Sequence, residues 1–145
     1  MYARLRDHQF SLYEDYARKR GLQGKSLLIL LWIYRHPKGI SQQTITRHTY
    51  STKQVVNAVI KNFSKKGYIK STVHPKDRRK KLIMLTEKGR QFAAFIIDPM
   101  DEAEKKAFSQ LSAKQQQTLI ETTHLFTDVL TQEFMRLIKE ICPDI

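Results

Sequence analysis

Apolar residues recur at intervals of three and four along most of the chain, which is the spacing of helices that bury one face. Over the first half, this spacing predicts four helices, at residues 3–20, 25–36, 42–48 and 52–66. Pro37 and Gly39 end the second helix, and its apolar run is rich in leucine, which favours a helix over a strand. A turn over residues 49–51 separates the third helix from the fourth.

The pattern changes to an alternation of period two after Gly67, which predicts strands. Two strands, at residues 68–73 and 81–85, flank a polar segment that predicts the turn of a short hairpin. A fifth helix follows, in which the Asp98–Pro99 pair predicts a kink or a restart. The last helix carries an apolar stripe formed by Leu119, Phe126, Leu130, Phe134, Leu137 and Ile141.

Hydroxyl side chains stand at the predicted helix starts, where they can accept a hydrogen bond from a free backbone N–H. Ser41 is the predicted cap of the third helix and Thr86 that of the fifth. Capping-box spacing is present at Ser51–Gln54 for the fourth helix and at Ser112–Gln115 for the last one.

Positive charge is concentrated in the middle of the chain. The net charge is +12, and residues 35–90 hold 15 lysines and arginines against two acidic residues. The remaining residues hold 11 lysines and arginines against 12 acidic ones, so their charges nearly cancel. A basic centre between nearly neutral ends predicts a surface that docks on a polyanion.

Two short helices joined by a turn, a longer helix and a hairpin with a cationic tip predict a winged helix-turn-helix. The predicted fold is mainly α with a small β-hairpin wing. The apolar stripe of the last helix is either intramolecular core or, since so long a terminal helix has few local partners, buried against a second copy. The N- and C-terminal helices are therefore expected to form a dimerisation region. Residues 1–145 are expected to be one unit. Its DNA-binding part is residues 25–90, and its helical dimerisation part is residues 3–20 and 91–142.

The fourth helix combines an apolar face with a polar, basic one, and the major groove of B-DNA, about 12 Å wide, admits one helix. Its amide side chains can pair with adenine, its lysines can reach phosphates, and an arginine of the wing can enter the minor groove. The predicted DNA contacts are Ser41, Ser51, Thr52, Lys53, Gln54, Val55, Asn57, Ala58 and Lys61, together with Lys76, Arg78, Arg79 and Lys80 of the hairpin.

Three segments carry a resemblance to the MarR family that extends over nearly the whole chain. They are DRRKKLIMLTEKG at residues 77–89, NFSKKGYI at residues 62–69 and AFSQLSAKQQ at residues 107–116. The resemblance implies that Asp77 orients a wing arginine, Arg79 by position. It also implies that Thr86 and Gly89 set the turn from strand to helix, and that the first and last helices form a homodimer.

The resemblance has one departure, in the fourth helix. Asn57 and Ala58 stand where many relatives have a Thr-Arg pair, so no base preference carries over. The function predicted is a sequence-specific regulator of transcription, a repressor, that binds double-stranded DNA as a homodimer.

Aromatic residues form a candidate effector pocket where the DNA-binding and dimerisation parts are expected to meet. These residues are Tyr13, Tyr16, Trp32, His36 and Phe95. The resemblance implies a small aromatic or lipophilic effector that would relieve DNA binding. Aromatic residues at helical spacing are also typical of an ordinary core.

Other classes of function have less support. A winged-helix protein–protein interaction module could present the same basic face to an acidic partner. An RNA-binding protein is disfavoured because the aromatic motif of an RRM and the Gly-x-x-Gly loop of a KH domain are missing. No nucleophile motif, phosphate loop or metal motif is present, so neither an enzyme nor a cofactor is expected.

Further features bear on location and sensing. The single cysteine, Cys142, excludes an internal disulfide and fits a reducing cytoplasm, while a redox-sensing role stays open. Glu121, His124 and Asp128 share one helix face and are either a metal half-site or a solvated face. No apolar run reaches the roughly 20 residues of a membrane span, and the N-terminus lacks a secretory signal. A cytoplasmic protein without a membrane partner is therefore expected.

Overall fold

The computed structural model describes residues 1–144 and is mainly helical, with one two-stranded antiparallel hairpin in this range. This confirms the predicted fold class. The elements are α1 (Tyr2–Lys19), α2 (Gly24–Tyr34), α3 (Gln42–His48), α4 (Lys53–Lys65), β1 (Ile69–His74), β2 (Asp77–Leu85), α5 (Glu87–Ser109) and α6 (Ala113–Ile141). The chain divides into two compact units, residues 1–100 and the residues from 101 onward, and each is described by itself.

The helix starts agree with the predicted caps except at α4. Ser41 accepts from the Thr44 N–H at 3.1 Å, and Ser112 forms the predicted box with Gln115. The Ser51–Gln54 box is wrong: α4 is capped one residue later, by Thr52. The Ser51 hydroxyl is instead hydrogen-bonded to Thr49 within the turn.

The core of the first unit is formed by α2, α3, α4, the hairpin and the first half of α5, together with the buried Ala17 of α1. α2 is apolar on nearly all sides because it passes through the middle of this unit, and Ile29, Leu30 and Ile33 are fully buried. The other large, fully buried side chains are Ile45, Val56, Phe63, Ile96 and Ile97. Because the core draws on α3, α4 and the hairpin together, packing fixes these three elements relative to one another.

α5 passes through Pro99 without the predicted restart. The helix runs unbroken from Glu87 to Ser109 although a proline within a helix removes one backbone hydrogen bond. Side chains on both sides of the proline are buried in the first unit, namely Ile96, Ile97 and Met100. Their packing offsets the lost bond.

The hairpin is anchored at its base and irregular near its tip. Its regular register runs from Ile69 opposite Leu85 to Val73 opposite Lys81. At the base, Ile40 and Ile83 exchange backbone hydrogen bonds of 3.0 and 2.8 Å, so the residue before the α3 cap is bridged to β2. The base of the wing is thereby tied to the helix-turn-helix.

The junction between β2 and α5 depends on Thr86 and Gly89. Thr86 donates from its N–H to the Tyr68 carbonyl at 2.9 Å, and its hydroxyl accepts from the Gly89 N–H at 3.0 Å. Gly89 is buried so close to the Tyr68 backbone that a Cβ atom there would lie 1.8 Å from the Tyr68 carbonyl oxygen. The Tyr68 ring stacks on Phe92 with centroids 4.2 Å apart. The close contact accounts for the glycine at this position.

The second unit contains the end of α5 and the long helix α6. α6 has 29 residues, about 43 Å of helix at 1.5 Å per residue, and none of its residues is buried within the chain. Its exposed apolar side chains include Leu119, Leu130, Phe134, Leu137 and Ile141. The predicted apolar stripe is therefore present and exposed.

Candidate nucleic-acid interface

A short turn connects α3 to α4, and hydrogen bonds fix it from several sides. The Thr49 side chain is buried, and its hydroxyl donates to the Ile45 carbonyl at 2.7 Å. Lys25 of α2 donates its ammonium to the Thr49 carbonyl at 2.9 Å. The Ser51 N–H donates to the Thr46 carbonyl at 3.2 Å. The start of α4 is thus held rigidly on α2 and α3.

The polar face of α4 is exposed along its length, opposite the buried Val56, Val59 and Phe63. Every predicted contact on the helix and its cap lies on the exposed side: Thr52, Lys53, Gln54, Val55, Asn57, Ala58 and Lys61. The apolar face fixes the helix to the core. The opposite face is therefore free to enter a groove.

Asn57 has a partner that the sequence analysis did not find. The side-chain amide of Gln42, in the first turn of α3, donates to the Asn57 amide oxygen. In this arrangement the Asn57 NH₂ group remains as a donor, which suits an acceptor such as purine N7 in the major groove. Gln42 and Asn57 are 15 positions apart, so only the packing of α3 on α4 brings them together.

The predicted hydroxyl contacts also have structural roles. Ser41 and Thr52 cap α3 and α4, and Ser51 holds the turn. Ser41 and Ser51 are half-buried, whereas Thr52 is exposed. The Ser41 and Thr52 hydroxyls accept from a backbone N–H and can still donate to a phosphate, whereas the Ser51 hydroxyl already donates to the Thr49 carbonyl at 3.2 Å.

The tip of the wing contains a cationic irregularity rather than a simple turn. His74 pairs with Asp77 while Val73 pairs with Lys81, so residues 78–80 have no partner on β1. Those residues are Arg78, Arg79 and Lys80, and all three are exposed, as is Lys76 in the turn. β2 thus begins at Asp77 instead of residue 81, and the predicted seven-residue turn is shorter. The extra residues project cations away from the hairpin ladder.

Asp77 contacts the backbone of Arg79. Its carboxylate accepts a hydrogen bond from the Arg79 backbone N–H at 3.0 Å. This hydrogen bond holds the backbone of Arg79 in the wing. The contact therefore constrains the position of the Arg79 backbone and not that of its guanidinium group.

The lysines and arginines between Lys38 and Arg90 lack carboxylate partners in the described chain. Ion pairs occur in α1, α5 and α6. None of them involves a lysine or arginine between Lys38 and Arg90. These cations are available to an outside polyanion, and binding one would release their counterions.

The candidate effector residues fall into two groups in the first unit. Arg20 holds its guanidinium 4.3 Å from the Phe95 ring centroid and 5.4 Å from that of Tyr16, whose hydroxyl donates to the Ile96 carbonyl. Trp32 contacts the His36 ring at 5.6 Å and the His48 ring at 4.6 Å. Tyr13 is exposed on α1. The sequence analysis did not predict that Arg20 would contact the first group or that His48 would contact the second.

The remaining candidates lie on α6 or at its end. His124 is 3.1 Å from Asp128, while Glu121 accepts from Gln117 at 2.8 Å. Residues 1–144 contain no cluster of three or more His, Cys, Asp or Glu side chains suited to a metal ion. Cys142 is exposed and not in a disulfide. No helix in this range has the length and apolar character needed to cross a membrane.

The arrangement of a half-buried helix-turn-helix beside an anchored hairpin defines the winged-helix class, and comparisons with known proteins agree. The sequence profile of the MarR family matches residues 20–80. The winged-helix region of this chain is therefore similar to that of the MarR family, as the motifs predicted. Among curated protein sequences, none matches the chain.

Solved structures of family regulators share the fold. NMB1585, a MarR family regulator from Neisseria meningitidis, has a TM-score of 0.78 at 21% identity, covering 93% of this chain and 94% of that one. The S. aureus MepR–DNA complex has a TM-score of 0.71 at 20% identity, covering 89% of this chain and 94% of that one. PcaV from Streptomyces coelicolor, in complex with its natural ligand, has a TM-score of 0.65 at 16% identity, covering 88% of this chain and 89% of that one.

Proposed function

We propose that this chain is a transcription regulator that binds specific sequences of double-stranded DNA as a homodimer and represses the genes beside them. The observation that carries the proposal is the exposed face of α4 and the wing, where lysines and arginines have no carboxylate partner. In a dimer, the two copies of α4 are the recognition helices, and they would enter successive major grooves about 34 Å apart. The MepR–DNA complex, whose fold this chain shares, supports DNA as the partner.

The chain divides by role in this proposal. Residues 25–90 bind DNA, and residues 3–20 and 91–142 form the dimer. No catalytic activity and no cofactor are assigned. The proposed location is the cytoplasm, in agreement with the unpaired Cys142.

A second copy is the partner that the apolar stripe of α6 best fits. None of the 29 residues of α6 is buried, and packing its apolar stripe against a second copy would remove apolar surface from water. We expect light scattering at micromolar concentration to give twice the 17.1 kDa mass of the chain. A mass equal to one chain would contradict the dimer.

A small aromatic or lipophilic effector would relieve repression by favouring dimers whose recognition helices are wrongly spaced. Tyr16 and Phe95 around Arg20, and Trp32 beside His36, are the proposed contacts. PcaV, which shares the fold, was solved with its natural ligand bound.

Selection of bound fragments from a pool of random duplexes tests the proposed function directly. The expected result is a palindrome whose half-sites are one helical turn apart. If the protein binds acidic proteins but retains no duplex even at low salt, the interaction-module alternative replaces this proposal.

Replacing Asn57 by alanine is expected to cost about 1–3 kcal/mol of binding free energy on the selected duplex and less on a random one. The reason is that a base edge offers Asn57 an acceptor only in the correct sequence. Fluorescence anisotropy with both duplexes measures the difference.

Lys61→Ala provides the contrast on the same helix face. A lysine on a phosphate should lose affinity equally on both duplexes and lower the salt slope by about one per contact. Equal losses on both duplexes for the Asn57 variant would mean that Asn57 touches only the DNA backbone.

A further inference from the structure

Tyr50, at the tip of the turn between α3 and α4, combines an unfavourable backbone conformation with almost complete exposure. Its φ angle is 50°, the only positive φ at a non-glycine residue in the described part of the chain. Its side chain is 92% exposed. The left-handed region is costly for a residue with a Cβ and is adopted more readily by glycine or asparagine.

The turn forces this conformation on Tyr50 from both sides. Its N–H donates to the Arg47 carbonyl at 3.3 Å. The preceding residue, Thr49, is buried and is held by both Ile45 and Lys25. On the other side, Ser51 is bonded to Thr46 and Thr49. The backbone conformation of Tyr50 is therefore set by its neighbours, and the ring contributes nothing to holding it.

The fold gains no packing and no hydrogen bond from the phenol. Among the described residues, its ring has no aromatic or cationic neighbour and its hydroxyl no partner. A large aromatic side chain held in water on a strained backbone points to a contact outside the chain.

We propose that Tyr50 positions the protein on duplex DNA by donating its hydroxyl to a backbone phosphate at the edge of the groove that α4 enters. This inference rests on the proposed function. Tyr50 lies directly before Ser51, Thr52 and Lys53, where α4 begins, so its phenol extends from the same end of the recognition helix. Tyrosine is among the side chains that donate to DNA phosphates, and such contacts set register without reading sequence.

A neutral donor has a signature that separates it from the lysines. It releases no counterion, so its loss lowers affinity while the dependence of affinity on salt stays the same. Because the contact is to the backbone, the loss is equal on every sequence.

The test measures anisotropy of labelled duplexes of about 30 base pairs, long enough for two half-sites one helical turn apart, over a range of salt. One duplex is selected by the unaltered protein and the other has random sequence. Tyr50→Phe is expected to weaken binding about fivefold on both, with the salt slope unchanged. The control Tyr2→Phe makes the same chemical change on α1 and is expected to leave binding as it was.

Tyr50→Asn keeps the experiment independent of folding. Asparagine accepts the left-handed conformation at lower cost, so the melting temperature is expected to rise by about 3 °C while duplex binding weakens about tenfold. Unaltered binding by both variants, or a loss confined to the selected duplex, overturns the phosphate contact. If the unaltered protein binds neither duplex, the proposed function fails together with this one.

Discussion

Replacing Arg78, Arg79 and Lys80 together by alanine is expected to weaken duplex binding about a thousandfold, or roughly 4 kcal/mol, near 0.1 M salt. The three residues are exposed, lie outside the hairpin ladder and have no ion pair in the described chain. The proposed dimer would carry two copies of the wing, so the triple variant would lose six cations at once. If all six contact phosphates, the salt slope should fall by about five.

The matched control removes the same charge from another place. Lys105, Lys106 and Lys114 are exposed in the second unit, and their joint replacement by alanine changes the net charge by the same amount. Anisotropy titrations of both triple variants at several salt concentrations measure the two slopes. Similar losses in both would show that net charge, and not the wing, attracts the DNA.

Replacing Gly89 by alanine is expected to lower the free energy of unfolding by about 3 kcal/mol. The new Cβ would lie 1.8 Å from the carbonyl oxygen and 2.7 Å from the carbonyl carbon of Tyr68. These are backbone atoms, so the contact cannot be relieved by turning a side chain. The same carbonyl accepts from the Thr86 N–H, and the Tyr68 ring stacks on Phe92, so a shift would disturb the base of the wing.

Urea unfolding followed by far-UV circular dichroism measures this loss. Gly24→Ala is the control, because a Cβ there meets only the flexible Glu14 side chain at 3.4 Å and alanine favours a helix. It should unfold at an equal or higher urea concentration. An unchanged midpoint for Gly89→Ala would show that the start of α5 can shift away from the Tyr68 backbone at little cost in free energy.

The order and type of the elements could be predicted because the helices have a strong period and glycine or proline at their ends. The cap of α4 could not, since Ser51 and Thr52 both carry hydroxyls. Only the packing of the turn decides that Ser51 is used by Thr49. The unbroken α5 was missed for a similar reason: burial around Pro99 offsets a local defect that the sequence shows plainly.

The candidate site was predicted in composition but not in its internal contacts. The exposed face of α4 follows from its apolar period, so its polar residues could be assigned from sequence. The bond from Gln42 to Asn57 joins two helices, and the unpaired stretch of the wing occurs in a run of like charges with no alternation to mark it. A lone tyrosine in a turn, such as Tyr50, gives no periodic signal at all.

The bridge between Ile40 and Ile83 limits how such a protein could be switched. It joins the hairpin to the residue that precedes the Ser41 cap of α3. Because α4 is held on α3 by the turn between them, the wing and α4 are expected to move as one rigid body. A regulatory signal then has little freedom to realign α4 against its own wing. In the proposed dimer, such a signal would act instead on the distance between the two DNA-binding parts.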